Sequence, residues 1–214
     1  MVREHGGMSD RSRRTEAGRL EQLWAGSFGD EYMQRNADAG GPREPFWDAV
    51  LRMAPPRSVL EVGCNLGGNL MWVGPRVPMR PVGVDVNHGA LTRLRATLPS
   101  VIGLRAAAKE LPFRNGAFEL AYTIGVLIHQ PEDTLGQVVD ELVRCSSRFV
   151  LTCEYYASGT VEVPYRGQVG ALFKRDYGAV VAGRHPELRL LQRGFLGRDQ
   201  GWDDATWWLF ERSG

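Results

Sequence analysis

The sequence predicts a doubly wound α/β fold, and three observations predict it. Short β-branched runs recur along the chain, among them SVLEVG (58–63), PVGVDV (81–86) and RFVLTCEYY (148–156). Helical stretches separate them, as the crossovers of a parallel sheet require. The first run stops in a glycine-rich turn, EVGCNLGGNL (61–70). An open parallel sheet binds ligands beyond the carboxyl ends of its strands, where the strand order reverses, and that turn belongs there.

Taken in order, residues 1–15 are rich in Arg, Ser and Gly with almost nothing to bury, and read as a disordered tail. Residues 16–214 then form one domain, because 214 residues suffice for one α/β core and are short for two. In 19–36 the spacing of Leu20, Leu23 and Trp24 is helical, with Gly26 and Gly29 expected to break the segment into two pieces. A further helix from Glu44 to Met53 ends before Pro55 and Pro56, so that 16–53 make a helical cap. A helical stretch joins the first two strands. Weaker strands follow at 101–106 and 118–126, then a helix from Pro131 to Cys145 and the apolar strand 148–156. Residues 157–178, rich in Gly, Pro and charge, make a loop on the substrate side. A helix near Val180 and two strands, 188–197 and 206–212, complete the chain.

Composition excludes several classes. The 26 basic and 25 acidic residues nearly cancel, so no global field draws the protein to nucleic acid or an anionic membrane. Cys64, Cys145 and Cys153 show no metal-type spacing and sit in or beside apolar runs, as buried free thiols do. No apolar run approaches the roughly 20 residues that span a bilayer, and the N-terminus lacks the apolar stretch of a secretory signal. The expectation is a cytoplasmic protein without bound metal, nucleic-acid partner or membrane anchor; its oligomeric state is not legible.

Gly63 and Gly67 allow positive φ or close approach of a ligand to bare main chain at the start of a helix, as does Gly68. Dinucleotide enzymes use G-x-G-x-x-G at the same place, and here Asn65 occupies the middle glycine position, though Asn tolerates left-handed geometry better than other side chains. Asp85 ends the second strand, 22 residues after Gly63, where a carboxylate can accept from both hydroxyls of a ribose in either class of enzyme. Glu61, two residues before the first glycine, makes the turn resemble the (D/E)-x-G-x-G-x-G first motif of class I S-adenosylmethionine-dependent methyltransferases. The run 106–133, with its LPF and following strand, resembles the third and fourth motifs, and TWWLFER resembles the antiparallel seventh strand of that family. The resemblance implies a Rossmann-like sheet of seven strands, mostly parallel with the last antiparallel, helices on both faces, and S-adenosylmethionine as cofactor. It places Glu61, Gly63, Cys64, Asn65 and Gly67 around the methionine part, Asp85 and Val86 at the ribose, and Ala107 and Ala108 at the adenine through backbone only. Thr123 and Gly125 close the bed, and Arg35 reaches the cofactor carboxylate.

The segments WAGSFGDEYMQRN (24–36), GVLIHQPED (125–133), CEYY (153–156), VPYRG (163–167) and LFKRD (172–176) resemble two narrower groups. These are the methylases associated with pseudaminic acid biosynthesis and the phosphonate O-methyltransferase of dehydrophos biosynthesis. The second implies O-methylation of a small anionic phosphonate in antibiotic biosynthesis; the first, an amino sugar or sugar acid. Tyr165, Arg166, Lys174 and Arg175 then form a local anion clamp; the plainer alternative is a solvated loop with Arg175 and Asp176 paired. His129 after the fourth strand either orients the acceptor or acts as base, with Tyr32 beside it, and Glu154 is a further base for the sugar reading. A non-catalytic nucleotide-binding module is the alternative of another class.

Overall fold

The computed structural model describes residues 15–36 and 42–213. The tail read over 1–15 therefore lies outside the described residues except for Thr15, whose hydroxyl caps the first helix by accepting from the Gly18 N–H. That helix, α1 (Glu16–Ala25), is followed by α2 (Ser27–Arg35) and α3 (Glu44–Met53). The strands are β1 (Val59–Val62), β2 (Val82–Asp85), β3 (Ile102–Arg105), β4 (Phe118–Ile124), β5 (Ser146–Glu154), β6 (Val161–Glu162), β7 (Phe173–Lys174), β8 (Leu188–Leu196) and β9 (Ala205–Arg212). Between them lie α4 (Leu70–Val73), α5 (His88–Thr97), α6 (Glu132–Cys145) and α7 (Tyr177–Arg184).

Seven strands form one sheet in the order β3-β2-β1-β4-β5-β9-β8, and β6 pairs only with β7. Every pair in the large sheet is parallel except the two made by β9, which runs antiparallel to β5 and β8. Strand order reverses between β1 and β4, so the cleft of an open α/β sheet lies above those two strands. This is the architecture the sequence predicts.

Side chains alternate between two cores, as the period of two demands. Leu120 and Tyr122 of β4, Leu151 of β5 and Leu209 of β9 face one side with Trp47 of α3 and Leu91 and Leu94 of α5. Ala121, Val150, Trp208 and Phe210 face the other with Val138, Leu142 and Val181 of α6 and α7. Trp47 is fully buried, and truncating such a side chain costs about 3–5 kcal/mol.

Two expectations shift in detail. The break in the N-terminal segment falls at Gly26 alone, which ends α1 and begins α2. Gly29 stays inside α2 for a packing reason, because a Cβ there would lie 1.9 Å from the Trp24 carbonyl oxygen. The helical stretch between β1 and β2 shrinks to α4 and one 3₁₀ turn, Gly74–Arg76, since Pro75 and then Pro78 and Pro81 prevent a longer helix.

Candidate functional site

The glycine-rich turn is built as a bed. Gly63, Asn65 and Gly67 hold φ of 75°, 45° and 79°. The Gly63 and Cys64 N–H groups donate to the Val84 carbonyl at 2.7 and 3.0 Å, which pins the turn to β2. The Asn65 N–H donates to one Asp85 oxygen and the Asn87 N–H to the other, both at 2.8 Å. Asp85 thereby faces the cleft with its carboxylate fixed; burial raises its pKa, and these N–H bonds partly oppose the rise. Val86, Ala107 and Ala108 extend the same wall.

The opposite wall begins where β4 ends. Gly125 holds φ of 67°, and a Cβ added there would meet nothing within 4 Å, so the cleft opens directly over its backbone. The chain then makes a 3₁₀ turn, Leu127–His129. Glu154, at the end of β5 and fully buried, accepts the N–H groups of Val126, Leu127 and Ile128 at 3.2 Å each. Burial pushes its carboxyl up to about 8 despite those bonds. The turn presents His129, whose Nδ1 lies 2.6 Å from the Ala171 carbonyl. A carbonyl only accepts, so Nδ1 carries the hydrogen and Nε2 is left as an acceptor. Burial lowers the pKa of this histidine to about 4, so the ring is neutral at pH 7.

The cap closes the top. Trp24 of α1 packs its ring 4.4 Å from His129, 5.2 Å from Tyr32 and 5.3 Å from Phe28, with Tyr165 of the loop 5.4 Å from His129. Burial pushes the Tyr32 phenol up to about 12, so it stays a proton donor. Polar links hold the cap down. Asn87 donates to Asp30 at 2.9 Å, Lys109 pairs with Glu21 at 2.7 Å, and Arg19 donates to the Val169 carbonyl at 2.9 Å.

Gly63, Asn65, Asp85, Val86, Ala107, Ala108, Gly125, Tyr32 and His129 thus line one cleft, and the Tyr165 ring packs against Trp24 and His129 beside it. Other residues singled out by the sequence lie elsewhere. Glu61 is buried beneath the turn, accepting from Asn69 at 2.8 Å and from the Tyr122 hydroxyl at 3.2 Å, and burial pushes its carboxyl up to about 8. Cys64 packs in the core against β2, and Gly67 sits over Leu94 and Leu98. Thr123 is buried in β4. Arg35 pairs with Glu31 on the surface at 3.5 Å, away from the cleft wall.

The expected clamp is not assembled as a trio. Arg175 turns inward, donating to the Gln130 carbonyl at 2.9 Å and lying 3.6 Å from Glu132, so neither the cleft nor Asp176 holds it. Lys174 lies with Nζ 5.9 Å from the Tyr155 ring centroid. Arg166 is exposed at the tip of a tight turn, in which Tyr165 and Gln168 exchange hydrogen bonds at 2.9 and 3.0 Å. The cap contacts Glu21, Asn87 and Lys109 escape sequence reasoning, because charged and amide residues on a helix or loop carry no signal of the partner they meet across the fold.

Residues 59–147 match the family profile of the methyltransferase domain. Over 108 residues, 45% of this chain, the sequence is 33% identical to a tRNA U34 carboxymethyltransferase of Vibrio campbellii, and the match spans 33% of that relative's length. The fold is similar to the 1,6-didemethyltoxoflavin-N1-methyltransferase of Burkholderia thailandensis with bound 1,6-didemethyltoxoflavin and S-adenosylhomocysteine. That likeness has a TM-score of 0.74 at 13% identity and covers 94% of this chain and 92% of the other. It is also similar to magnesium protoporphyrin IX methyltransferase of Synechocystis PCC 6803 with bound S-adenosylmethionine, at TM-score 0.67 and 12% identity over 93% and 98% of the chains. At these identities the structures show the fold. Over residues 59–147 the chain is similar to a methyltransferase domain, and S-adenosylmethionine is the cofactor which that similarity implies. The cleft fits that ligand, since Gly125 leaves backbone bare where a Cβ would intrude and Asp85 offers two fixed carboxylate oxygens. Among the described residues no helix is long and apolar enough to cross a membrane.

Proposed function

We propose that the chain transfers the methyl group of S-adenosylmethionine to an oxygen of a small anionic acceptor, a phosphonate, as a cytoplasmic step in the biosynthesis of a phosphonate antibiotic. In this reading residues 16–53 cap the site and 157–178 supply the acceptor loop. The observation that carries the anionic acceptor is Arg166. It holds φ of 50° and Gly167 holds 78°, positions where such a turn favours Asn and Gly. A left-handed conformation costs a non-glycine residue on the order of 1 kcal/mol, and strain of this kind collects at functional sites. Here the strained residue is a guanidinium at the tip of the loop whose Tyr165 packs on His129.

Arg166 supplies a fork for two oxygens, and Tyr165, Tyr32 and Trp24 exclude water around the third. Arg175 and Lys174 act from behind the loop, Arg175 by bonding the Gln130 carbonyl next to His129. Asp85 and the Gly63 turn hold the cofactor. A second reading, methylation of an amino sugar or sugar acid, draws on the bare Nε2 of His129, which can take a proton from a hydroxyl or amine. A screen of the full chain with S-adenosylmethionine against phosphonates, phosphates, carboxylates and amino sugars, read by mass spectrometry, separates them. A methylated phosphonate supports the proposal, and a methylated sugar moves it to the second reading. No product from any acceptor, with cofactor bound, leaves a binding module.

A further inference from the structure

Resting on the phosphonate reading, we infer that His129 makes the enzyme select the monoprotonated acceptor: the group that meets Nε2 must donate a hydrogen, so the monoanion binds and the fully ionised dianion does not. The geometry behind this is local. Nδ1 is committed to the Ala171 carbonyl at 2.6 Å, and Nε2 has no hydrogen-bond partner among the described residues. The ring sits 8% exposed against Trp24 and Tyr165 and lines the cleft. An oxyanion placed against a nitrogen lone pair gains no hydrogen bond and loses its solvation, whereas a P–OH gains a hydrogen bond. In this reading Arg166 meets one negative charge rather than two.

The proton has a defined fate. The acceptor's ionised oxygen forms the new O–CH₃ bond as the carbon–sulfur bond of the cofactor breaks, and sulfur keeps the electron pair. Methylation makes the remaining P–OH strongly acidic, so it passes its proton to Nε2, and the imidazolium then loses that proton to water. A weakly basic buried histidine suits this task, because it accepts only once the methyl has arrived and does not bind as a competing cation beforehand.

The loop enforces the selection. Ala171 follows the Val169–Gly170 segment that Arg19 of the cap grips through the Val169 carbonyl at 2.9 Å, so seating the cap seats the carbonyl that fixes the tautomer. The charged and titratable groups facing this centre are Tyr32 and Glu21 from the cap, Asp85 from β2, Lys109 after β3, Glu154 from β5, and Tyr165 and Arg175 from the loop, with Arg166 beyond the Tyr165 ring. Glu154, and Glu61 beneath the glycine turn, are both held up near 8, and each produces an alkaline limb of its own.

Two measurements on the full chain test the inference. The first is a nitrogen NMR spectrum of histidine-labelled protein with S-adenosylhomocysteine, with His129→Gln used to assign the signal. The expected spectrum shows Nδ1 protonated and Nε2 bare; a protonated Nε2 overturns the inference whatever the acceptor. The second is kcat/KM against pH for methylphosphonate and for its difluoromethyl analogue, whose second ionisation lies lower, with methanesulfonate as competitor. The expected alkaline limb falls tenfold per pH unit and moves down with the analogue, and methanesulfonate, which has no hydrogen to give, competes at least tenfold more weakly than methylphosphonate. A limb at one pH for both acceptors belongs to the protein, to Glu154 or Glu61, and overturns the inference while leaving the phosphonate reading intact. Absence of any methylated phosphonate, with S-adenosylhomocysteine bound, overturns that reading and this inference with it.

Discussion

Replacing Gly63 by Ala tests how the glycine-rich turn is built. Gly63 holds φ of 75°, and a Cβ there would fall 2.2 Å from Cγ2 of Val126. The left-handed conformation costs alanine about 1 kcal/mol, and forcing a methyl into a filled space costs about 1–3 kcal/mol more, so Gly63→Ala loses about 2–4 kcal/mol. Val126 cannot step aside cheaply, because its N–H donates to Glu154 and its carbonyl accepts from His129. Any relief therefore moves the turn that presents His129. Val126→Ala removes the obstructing methyl and by itself costs about 1 kcal/mol. In the double variant only the conformational cost and that cavity remain, so the two changes should couple favourably by about 1–3 kcal/mol. Urea unfolding of the four proteins measures this directly. A Gly63→Ala protein within about 0.5 kcal/mol of wild type, or a double variant whose losses simply add, refutes the argument from the Val126 contact.

Asp85→Ala should weaken S-adenosylhomocysteine binding by about 10- to 100-fold in titration calorimetry, the loss of charge-assisted hydrogen bonds together with the Asn65 and Asn87 anchors; unchanged affinity contradicts the ribose role. Arg166→Gly should stabilise the protein by about 1 kcal/mol by relaxing the turn, and yet raise the acceptor KM while cofactor affinity holds; an unmoved KM removes Arg166 from the site. For His129 the folded pKa of about 4 lies below the ordinary 6.5, so the unfolded chain binds the proton first as pH falls. Relative to His129→Gln, wild type should therefore lose about 1.4 kcal/mol per pH unit between 6.5 and 4, and match it in slope above 6.5. Comparing the two proteins cancels the opposite drift from Glu61 and Glu154, whose raised values stabilise below 4.5 and fade as pH climbs through 8.

The sheet was legible because its causes are local and repeated. Runs such as Val59–Val62 and Val82–Asp85 are apolar on both faces, and glycine marks where β1 stops. The cleft lining is legible in Gly63, Asn65, Asp85 and Gly125, whose types report what the backbone must do there. Glu61 was readable as a marker of the turn but not in its placement, since spacing does not tell a carboxyl that faces a ligand from one tied to Asn69 and Tyr122. The loop was the hardest part. Arg166, Lys174 and Arg175 look alike in sequence, and only the turn at Tyr165–Gln168 and the Gln130 carbonyl send them in different directions. The tautomer of His129 was invisible for the same reason, because its partner is a carbonyl 42 positions away.

In the proposed function the cleft between Asp85 and Gly125 binds the cofactor of a methyl transfer. Titration calorimetry of the wild-type chain with S-adenosylhomocysteine tests it most directly. Saturable binding at one site per chain is expected, weakened at least tenfold in Asp85→Ala. Heats that show no saturation in wild type, or binding that survives Asp85→Ala unchanged, would contradict it.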